Sequence, residues 1–453
     1  DGIEDQPVMT NSPLSLSRIF KVWIPLAASW LLMGMELPIL SAVVARLVEP
    51  EINLAAYGGI VFPIALIVEA PVIMLLAAST ALSKDWASYK KLHNYMMLAG
   101  GLLTTLHLLV ALTPIYYFVV EGLLGAPTEI IEPARIGLII MTPWTWTIAY
   151  RRLHQGIMIR FGHTNIIGIG TGVRLGTDIL VLGIGYALGL PGIVVATSAV
   201  ASGVTAEAIY IGFRVQPVLR MDLKPALVLQ PALTYRAFAA FYLPLVMTSL
   251  LTLLIQPLGS AALSRMPRAL ESLAVWPVVS GFIFMLRSMG VAFNEVVVAL
   301  LDESLSTKPL RHFTMLLSVG TTGTLILIAA TPLSRLWLEN FSGLSPTLAA
   351  LARTGLWFGL LLPGLNSLQS WYQGTLLNSG KTRGISEAVA IFLFGAGLVL
   401  IAGIIWGKMV GLYVGLGAFS FGMFVQTLWL WVRSRPVLRA LSEHDQHLET
   451  QVN

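Results

Sequence analysis

Apolar residues fill this chain in long unbroken runs, with neither the two-residue alternation of exposed strands nor the one-sided stripe of soluble helices. Runs of about 20 apolar residues, the length of one bilayer crossing, occur twelve times, at 17–44, 54–82, 92–119, 131–155, 165–187, 191–213, 234–262, 270–298, 311–333, 346–372, 385–406 and 410–433. Strands of a transmembrane barrel would be about half that length and would alternate. The pattern therefore predicts an all-α polytopic membrane protein with twelve transmembrane helices. Only the connector 214–233 and the charged tail 434–453 exceed a short turn, which leaves no room for a soluble nucleotide-binding or catalytic domain. The polar segment 1–16 lacks the cationic and apolar regions of a cleavable signal, so the first run is expected to direct insertion.

The runs repeat. Pro38, Ser41, Ala42 and Arg46 return as Pro257, Ser260, Ala261 and Arg265, all at an offset of 219 residues. The same offset pairs Leu54-Ala55 with Leu273-Ala274, His93 with His312, Thr105 with Thr324, Gly192 with Gly411 and Arg214 with Arg433. One residue out of step, Gln155-Gly156 returns as Gln373-Gly374. The chain thus reads as a duplication, with a first half at 17–213 and a second at 234–433. Six helices per half is an even number, so the halves share one orientation. Two parallel six-helix repeats related by an axis along the membrane normal place a site between them near the midplane. A proline within an apolar run frees a backbone carbonyl that lipid cannot satisfy. Pro38 and Pro257 therefore mark either a packing kink or helices that line a cavity.

Composition narrows the function. Residues are 56% hydrophobic and only 11% charged, with a mean hydropathy of +0.79, against about a quarter charged in soluble proteins. A net charge of +5 comes without any basic block carrying interleaved aromatics, so nucleic acid is not an expected partner. Most of the Lys and Arg fall at the N-terminus, the even-numbered loops and the tail, which predicts both termini in the cytoplasm of a cell (plasma or inner) membrane. Cysteine is absent, which excludes a disulfide framework and thiol chemistry. No HExxH, GxSxG or His-rich cluster supports an enzyme or a metal site, and no cofactor is expected. A channel would need a filter loop or a ring of charges, and neither is present.

Twelve helices in two parallel halves with a bent first helix in each resemble the MATE-like transporters of the multidrug, oligosaccharidyl-lipid and polysaccharide exporter superfamily, over about residues 17–435. Within that superfamily, the stretches 257–265, Leu273-Ala274, Trp276-Pro277-Val278 and 54–58 are similar to the progressive ankylosis branch. The resemblance implies a V-shaped pair of lobes, with the first, second, seventh and eighth helices at a central cleft. It also implies alternating access and export. A small organic anion is the substrate implied by the ankylosis branch, a drug or organic cation the one implied by the wider family, and a lipid-linked saccharide a third. The bilayer and a small-molecule substrate are the expected partners, and a monomer the expected state.

Ionisable residues inside apolar runs are costly and mark functional candidates. Those in this chain are Glu36, Glu69, Arg174, Asp178, Glu207, Arg287 and Glu295. Glu36 and Glu69 each stand two residues before a proline, Pro38 and Pro71, on helices that the resemblance places at the cleft. With Asp178 they form the expected ion-coupling set, for a proton or a sodium ion. The bland alternative puts Glu69 at a helix end in headgroup water. Arg174 and Asp178 are four residues apart, a spacing that favours a structural ion pair. The second half answers Glu36 with Ile255 and Gln256, and Glu69 with Arg287 and Ser288, so the first half reads as acidic and the second as basic. Arg287, with no acidic neighbour within a turn, and Arg174 are the expected anion-binding residues, joined by Gln256 and Trp276. A Glu69–Arg287 salt bridge would cancel both roles. Trp23, Trp86, Trp276, Trp337 and Trp406 lie where belt anchors stand, and His93 and His312 at helix starts.

Overall fold

The computed structural model describes residues 14–227 and 232–452, and among these every regular element is helical. Most of the expected 1–16 segment and the centre of the 214–233 connector lie outside the described residues. The long helices, in order, are α1 (Leu16–Val44), α2 (Pro50–Leu82), α3 (Trp86–Leu112), α4 (Thr128–Ile140 continuing as Thr142–Arg160), α5 (Thr164–Ala187) and α6 (Gly192–Leu223). The second set comprises α7 (Tyr235–Ser264), α8 (Ala269–Leu300), α9 (Thr307–Ala330), α10 (Pro346–Phe358 continuing as Leu362–Asn378), α11 (Arg383–Trp406) and α12 (Gly411–Val452). Eleven of these are long and apolar enough to cross a membrane, which makes this a multi-pass membrane protein. The exception is α4, expected as a span at 131–155: Arg151, Arg152 and His154 leave its second part too polar. Two ends also differ from expectation, since α6 runs beyond 213 to Leu223 and the charged stretch after 433 continues α12 as helix.

The repeat is written into the backbone. Ser15 caps α1 by accepting the Arg18 N–H at 3.2 Å, and Thr234 caps α7 by accepting the Ala237 N–H at 3.1 Å. Pro25 and Pro38 interrupt α1 where Pro244 and Pro257 interrupt α7. Next, α2 and α8 begin on left-handed residues, Glu49 (φ 51°) and Arg268 (φ 57°). Asn53 then accepts the Ile193 N–H at 2.8 Å, tying α2 to α6, and Ser272 accepts the Leu412 N–H at 3.1 Å, tying α8 to α12.

Neither α1 nor α7 belongs wholly to its own half. Ile19, Trp23 and Leu26 pack with Phe293 and Phe313 of the second half. Trp23 donates to the Met289 carbonyl at 3.0 Å and Arg18 to Glu303 at 2.7 Å. Leu40 and Val44, at the other end of α1, lie in the core with Leu54 and Ala199. The crossing of α7 is the mirror of this. Phe238 and Tyr242 pack with Val72 and Tyr95 of the first half, and the Tyr242 hydroxyl donates to the Pro71 carbonyl at 2.7 Å. At the far end, Ala262 and Met266 join Leu400 and Val414. The first, second, seventh and eighth helices meet in crossed pairs: α1 lies along α8 and α7 along α2. A half-turn exchanges those two pairs, which is the reciprocity of an isologous contact. The α1–α8 seam is tight because glycine faces it from both sides. A Cβ at Gly34 would stand 3.2 Å from the Met285 Cα, and one at Gly281 would stand 3.2 Å from Pro38.

At the end of the bundle opposite the N-terminus, two arginines cross between halves. Short helices at 115–123 and 333–341 precede α4 and α10 and are followed by Gly125 (φ +65°) and Gly343 (φ +71°). Arg265, at the end of α7, donates to the carbonyls of Leu124 (2.9 Å), Leu123 (2.8 Å) and Gly122 (3.3 Å) in the first half. Arg46, just past the end of α1, donates to the Asn340 carbonyl in the second half and to Ala42 at 2.6 Å in its own. A guanidinium at a helix C-terminus satisfies orphan carbonyls and meets the negative end of the dipole.

These latches should hold that end closed. With about 1.5 kcal/mol for each charged hydrogen-bonded contact, removing one shifts the closed-to-open ratio about tenfold. The absence of cysteine allows spin labels at Val48→Cys and Leu336→Cys, both exposed positions. Adding Arg46→Ala and Arg265→Ala should broaden the distance distribution toward longer values. An unchanged distribution would mean that the arginines do not hold this end.

Candidate functional site

The charged candidates gather inside the first half. The Arg174 guanidinium, on α5, reaches α1 and donates to both carboxylate oxygens of Glu36. The ion pair expected within α5, between Arg174 and Asp178, is thereby replaced: the arginine spends its donors on α1. Asp178 is 4% exposed, and neither of its oxygens has a hydrogen-bond partner. It lines a small cavity between α1, α5 and α6 together with Glu36, Leu40, Leu182 and Val200. The site therefore holds two carboxylates and one guanidinium, two elements of it beside the Pro38 bend in α1.

A second buried network lies between α4, α6 and α2. Arg151 pairs with Glu207, whose other oxygen accepts from the Gln155 amide at 2.9 Å. Glu69 is 3% exposed and accepts the Trp144 indole N–H at 2.6 Å, so it is buried in the protein, and the Glu69–Arg287 bridge that would have cancelled both roles does not form. Arg152 stands in the field of Glu69 and Glu207, next to Arg151. These contacts explain the polarity of α4, whose arginines turn inward instead of toward a loop. Glu207 is one of the seven ionisable candidates of the sequence, but its partners Arg151 and Arg152 are not singled out by the linear pattern. The available signal is the repeat itself. Glu207 is answered by Gln426, and Arg151, one residue out of step, by Gln369. In the second half these two amides bond to each other at 3.1 Å. An ion pair in one half stands where a neutral amide pair stands in the other.

Arg287 lies on α8 at the edge of the face that touches α10. Its Nε and Nη2 donate to the Asn366 side chain at 3.4 and 3.2 Å, and the Asn366 amide donates back to the Arg287 carbonyl at 3.2 Å. No ion pair to it forms among the described residues. One neutral oxygen thus serves a full positive charge. Gln256 is half-buried on α7 and makes no hydrogen bond among the described residues. Trp276, expected at the substrate path or in the belt, is 9% exposed and packs edge-on to Phe419 with ring centroids 5.2 Å apart. Its ring is committed to the second-half core. His93 lies against Tyr89 and His154, whereas His312 is exposed.

No family model and no curated protein matches this sequence. Solved structures do match its fold. The lipid II flippase MurJ in an inward closed conformation superposes with a TM-score of 0.71 at 15% identity, over 96% of this chain and 91% of that one. A multidrug resistance MATE family transporter of the MOP superfamily, inward-facing, superposes with a TM-score of 0.66 at 14% identity, over 90% of this chain and 96% of that one. The Vibrio cholerae MATE transporter VcmN in the bent form gives 0.54 at 19% identity, over 94% and 98%. This chain therefore has the all-helical fold that these MATE transporters and MurJ share.

Proposed function

We propose that the protein is a secondary exporter that works by alternating access between two six-helix lobes and moves a small organic anion out of the cytoplasm. The observation that carries this reading is Arg287, a cation at the meeting of α8 and α10 that has an amide and, among the described residues, no carboxylate as its partner. A carboxylate or phosphate stripped of water is strongly disfavoured unless it is paired, and Arg287 has that pairing capacity unspent. The neighbours named as multidrug transporters and a flippase support transport as the class, and a non-enzymatic role with it. The resemblance to the progressive ankylosis branch is what favours a small anion. A lipid-linked anion is the second reading, favoured by the superposition on a lipid II flippase over nearly the whole chain.

Coupling is assigned to Glu36, Arg174 and Asp178. With both carboxylates ionised the trio carries one net negative charge, which a single proton or sodium ion neutralises. Glu69 is a weaker coupling candidate, because its carboxylate is already held by Trp144. The N- and C-termini are assigned to the cytoplasm of a cell membrane, and the unit of transport to a monomer.

Glu36→Gln is a confounded test, since it strands Arg174, and a buried ion left without its partner costs about 3–5 kcal/mol. Asp178→Asn is clean, because no hydrogen bond is lost. In proteoliposomes with an imposed proton or sodium gradient, Asp178→Asn should reduce gradient-driven uptake about tenfold or more while leaving thermal stability within about 1 kcal/mol. Full gradient-driven transport in this variant would remove Asp178 from coupling.

For the substrate, Arg287→Ala should weaken binding of citrate or a nucleotide by about 10- to 100-fold, the range of a charge-assisted contact, and leave a cationic dye unaffected. Arg287→Lys should restore only part, because lysine lacks the bidentate fork. A variant that loses thermal stability but transports anions normally would make Arg287 structural.

A further inference from the structure

At the end of the bundle opposite the N-terminus, the second half has a cavity of about 810 Å³ between the end of α9, the short helix at 333–341 and the start of α10. Its polar lining is Ser334, Arg335, Glu339, Arg353 and Thr354, and Trp357 closes one wall. The equivalent place in the first half, one residue out of step with the 219-residue offset, is occupied by hydrogen-bonded side chains. There Arg135 donates to the Ala111 carbonyl (3.0 Å), the Leu112 carbonyl (3.3 Å) and the Tyr117 hydroxyl (2.9 Å), and that hydroxyl donates to Glu132 at 2.7 Å. A phenol plugs the space and a carboxylate balances the guanidinium.

The second half keeps only the anchor, from Arg353 Nε to the Ala329 carbonyl at 3.2 Å. Arg335 stands where Tyr117 stands, and Ala350 where Glu132 stands. The plug has gone, one carboxylate has gone and a second guanidinium has arrived. Neither Arg335 nor the terminal nitrogens of Arg353 make a hydrogen bond or ion pair among the described residues. Trp357 in the cavity wall is 46% exposed, and on the elements that form the cavity Leu327 of α9 and Leu333 and Leu336 of the short helix are 43–57% exposed, apolar surface of the kind that faces lipid. The cavity lies on α9 and α10, away from the α1–α8 and α2–α7 seams.

We propose that this cavity binds the phosphate headgroup of an anionic phospholipid from the adjoining leaflet, with Arg335 and Arg353 holding the phosphate and the acyl chains lying over Leu327, Leu336 and Trp357. Two guanidiniums, of which only Arg353 Nε is engaged, against the single carboxylate of Glu339 leave a net positive charge that selects against zwitterionic headgroups. Arginine matches phosphate through paired N–H donors, and the apolar rim supplies what a soluble phosphate cannot use. The assignment does not depend on which solute is transported.

The test uses the full chain in detergent, with lipid retention read by native mass spectrometry. Phosphatidylglycerol should be retained in preference to phosphatidylcholine, and millimolar inorganic phosphate should not displace it. Arg335→Ala with Arg353→Ala should lower retention about tenfold or more. The second variant, Arg335→Tyr with Ala350→Glu, rebuilds the arrangement that the first half already folds around, and it should abolish retention with thermal stability unchanged. Equal retention of phosphatidylglycerol by wild type and this refilled variant overturns the proposal. So does equal retention of phosphatidylcholine, which would make the cavity a mere apolar groove, or ready displacement by inorganic phosphate, which would make it a soluble-anion site.

Discussion

A guanidinium or carboxylate withdrawn from water must find an opposite charge or a full set of hydrogen bonds, and the two halves of this molecule meet that constraint in different ways. In the first half, Arg151 is matched by Glu207 and Arg174 by Glu36, with Gln155 and Trp144 completing the shells of Glu207 and Glu69. In the second half the same helices meet through Gln369, Gln426 and Thr427, all neutral. Neutral amides cost less to bury than ions, so at this junction the second half is held by groups whose charge does not change. At the matching junction of the first half the partners are ions, Arg151 with Glu207, so the two copies of the duplication differ in charge there.

The crossing of α1 and α7 determines what that asymmetry can do. Each of these helices starts in one half and finishes in the other, so the two halves cannot move apart without bending both. Proline supplies the bend in each, at Pro25 and Pro38 and again at Pro244 and Pro257, because a helix without one N–H resists bending less there. The glycine-lined seam between α1 and α8 and the arginine latches at the opposite end act in series along this crossing. Contacts therefore bridge the halves at both ends of the bundle.

Much of this was legible in the sequence, and the reasons are local. Run length alone shows most of the helices, because an apolar stretch of about 20 residues has few fates other than a membrane span. The offset of 219 residues exposes the duplication, and the proline and arginine matches at 38, 257, 46 and 265 mark the crossing helices and the latches without revealing their partners. What could not be read is which side chains meet across helices. The four-residue spacing of Arg174 and Asp178 is a true helical neighbourhood, yet Glu36, 138 residues away in the chain, takes the arginine. The inward turn of Arg151 and Arg152 was hidden because arginines near a helix end are ordinarily loop charges. Trp276 misled for the opposite reason, since a tryptophan near a helix end suits a headgroup belt until a neighbour such as Phe419 is seen to bury it.

The position of Glu36 on α1 links the charge to the motion. Behind it, α1 is fastened to the second half by Arg18 on Glu303, by Trp23 on the Met289 carbonyl and by Trp30, whose indole donates to Glu295 at 3.1 Å. Ahead of it, Leu40 and Val44 are sealed into the first-half core. Glu36 is thus the point at which a helix anchored in the second half is bound by an ion pair to α5 of the first. On α7 the matching position is Ile255, which has no charge to exchange. Under the proposed coupling, a cation that competed with Arg174 for Glu36 would loosen α1 at this point and would find no counterpart at Ile255 of α7. Of the two crossing helices, α1 is the one tied at its bend by a carboxylate–guanidinium pair, to α5, and under the proposed coupling it is the one whose hold would depend on the coupling ion.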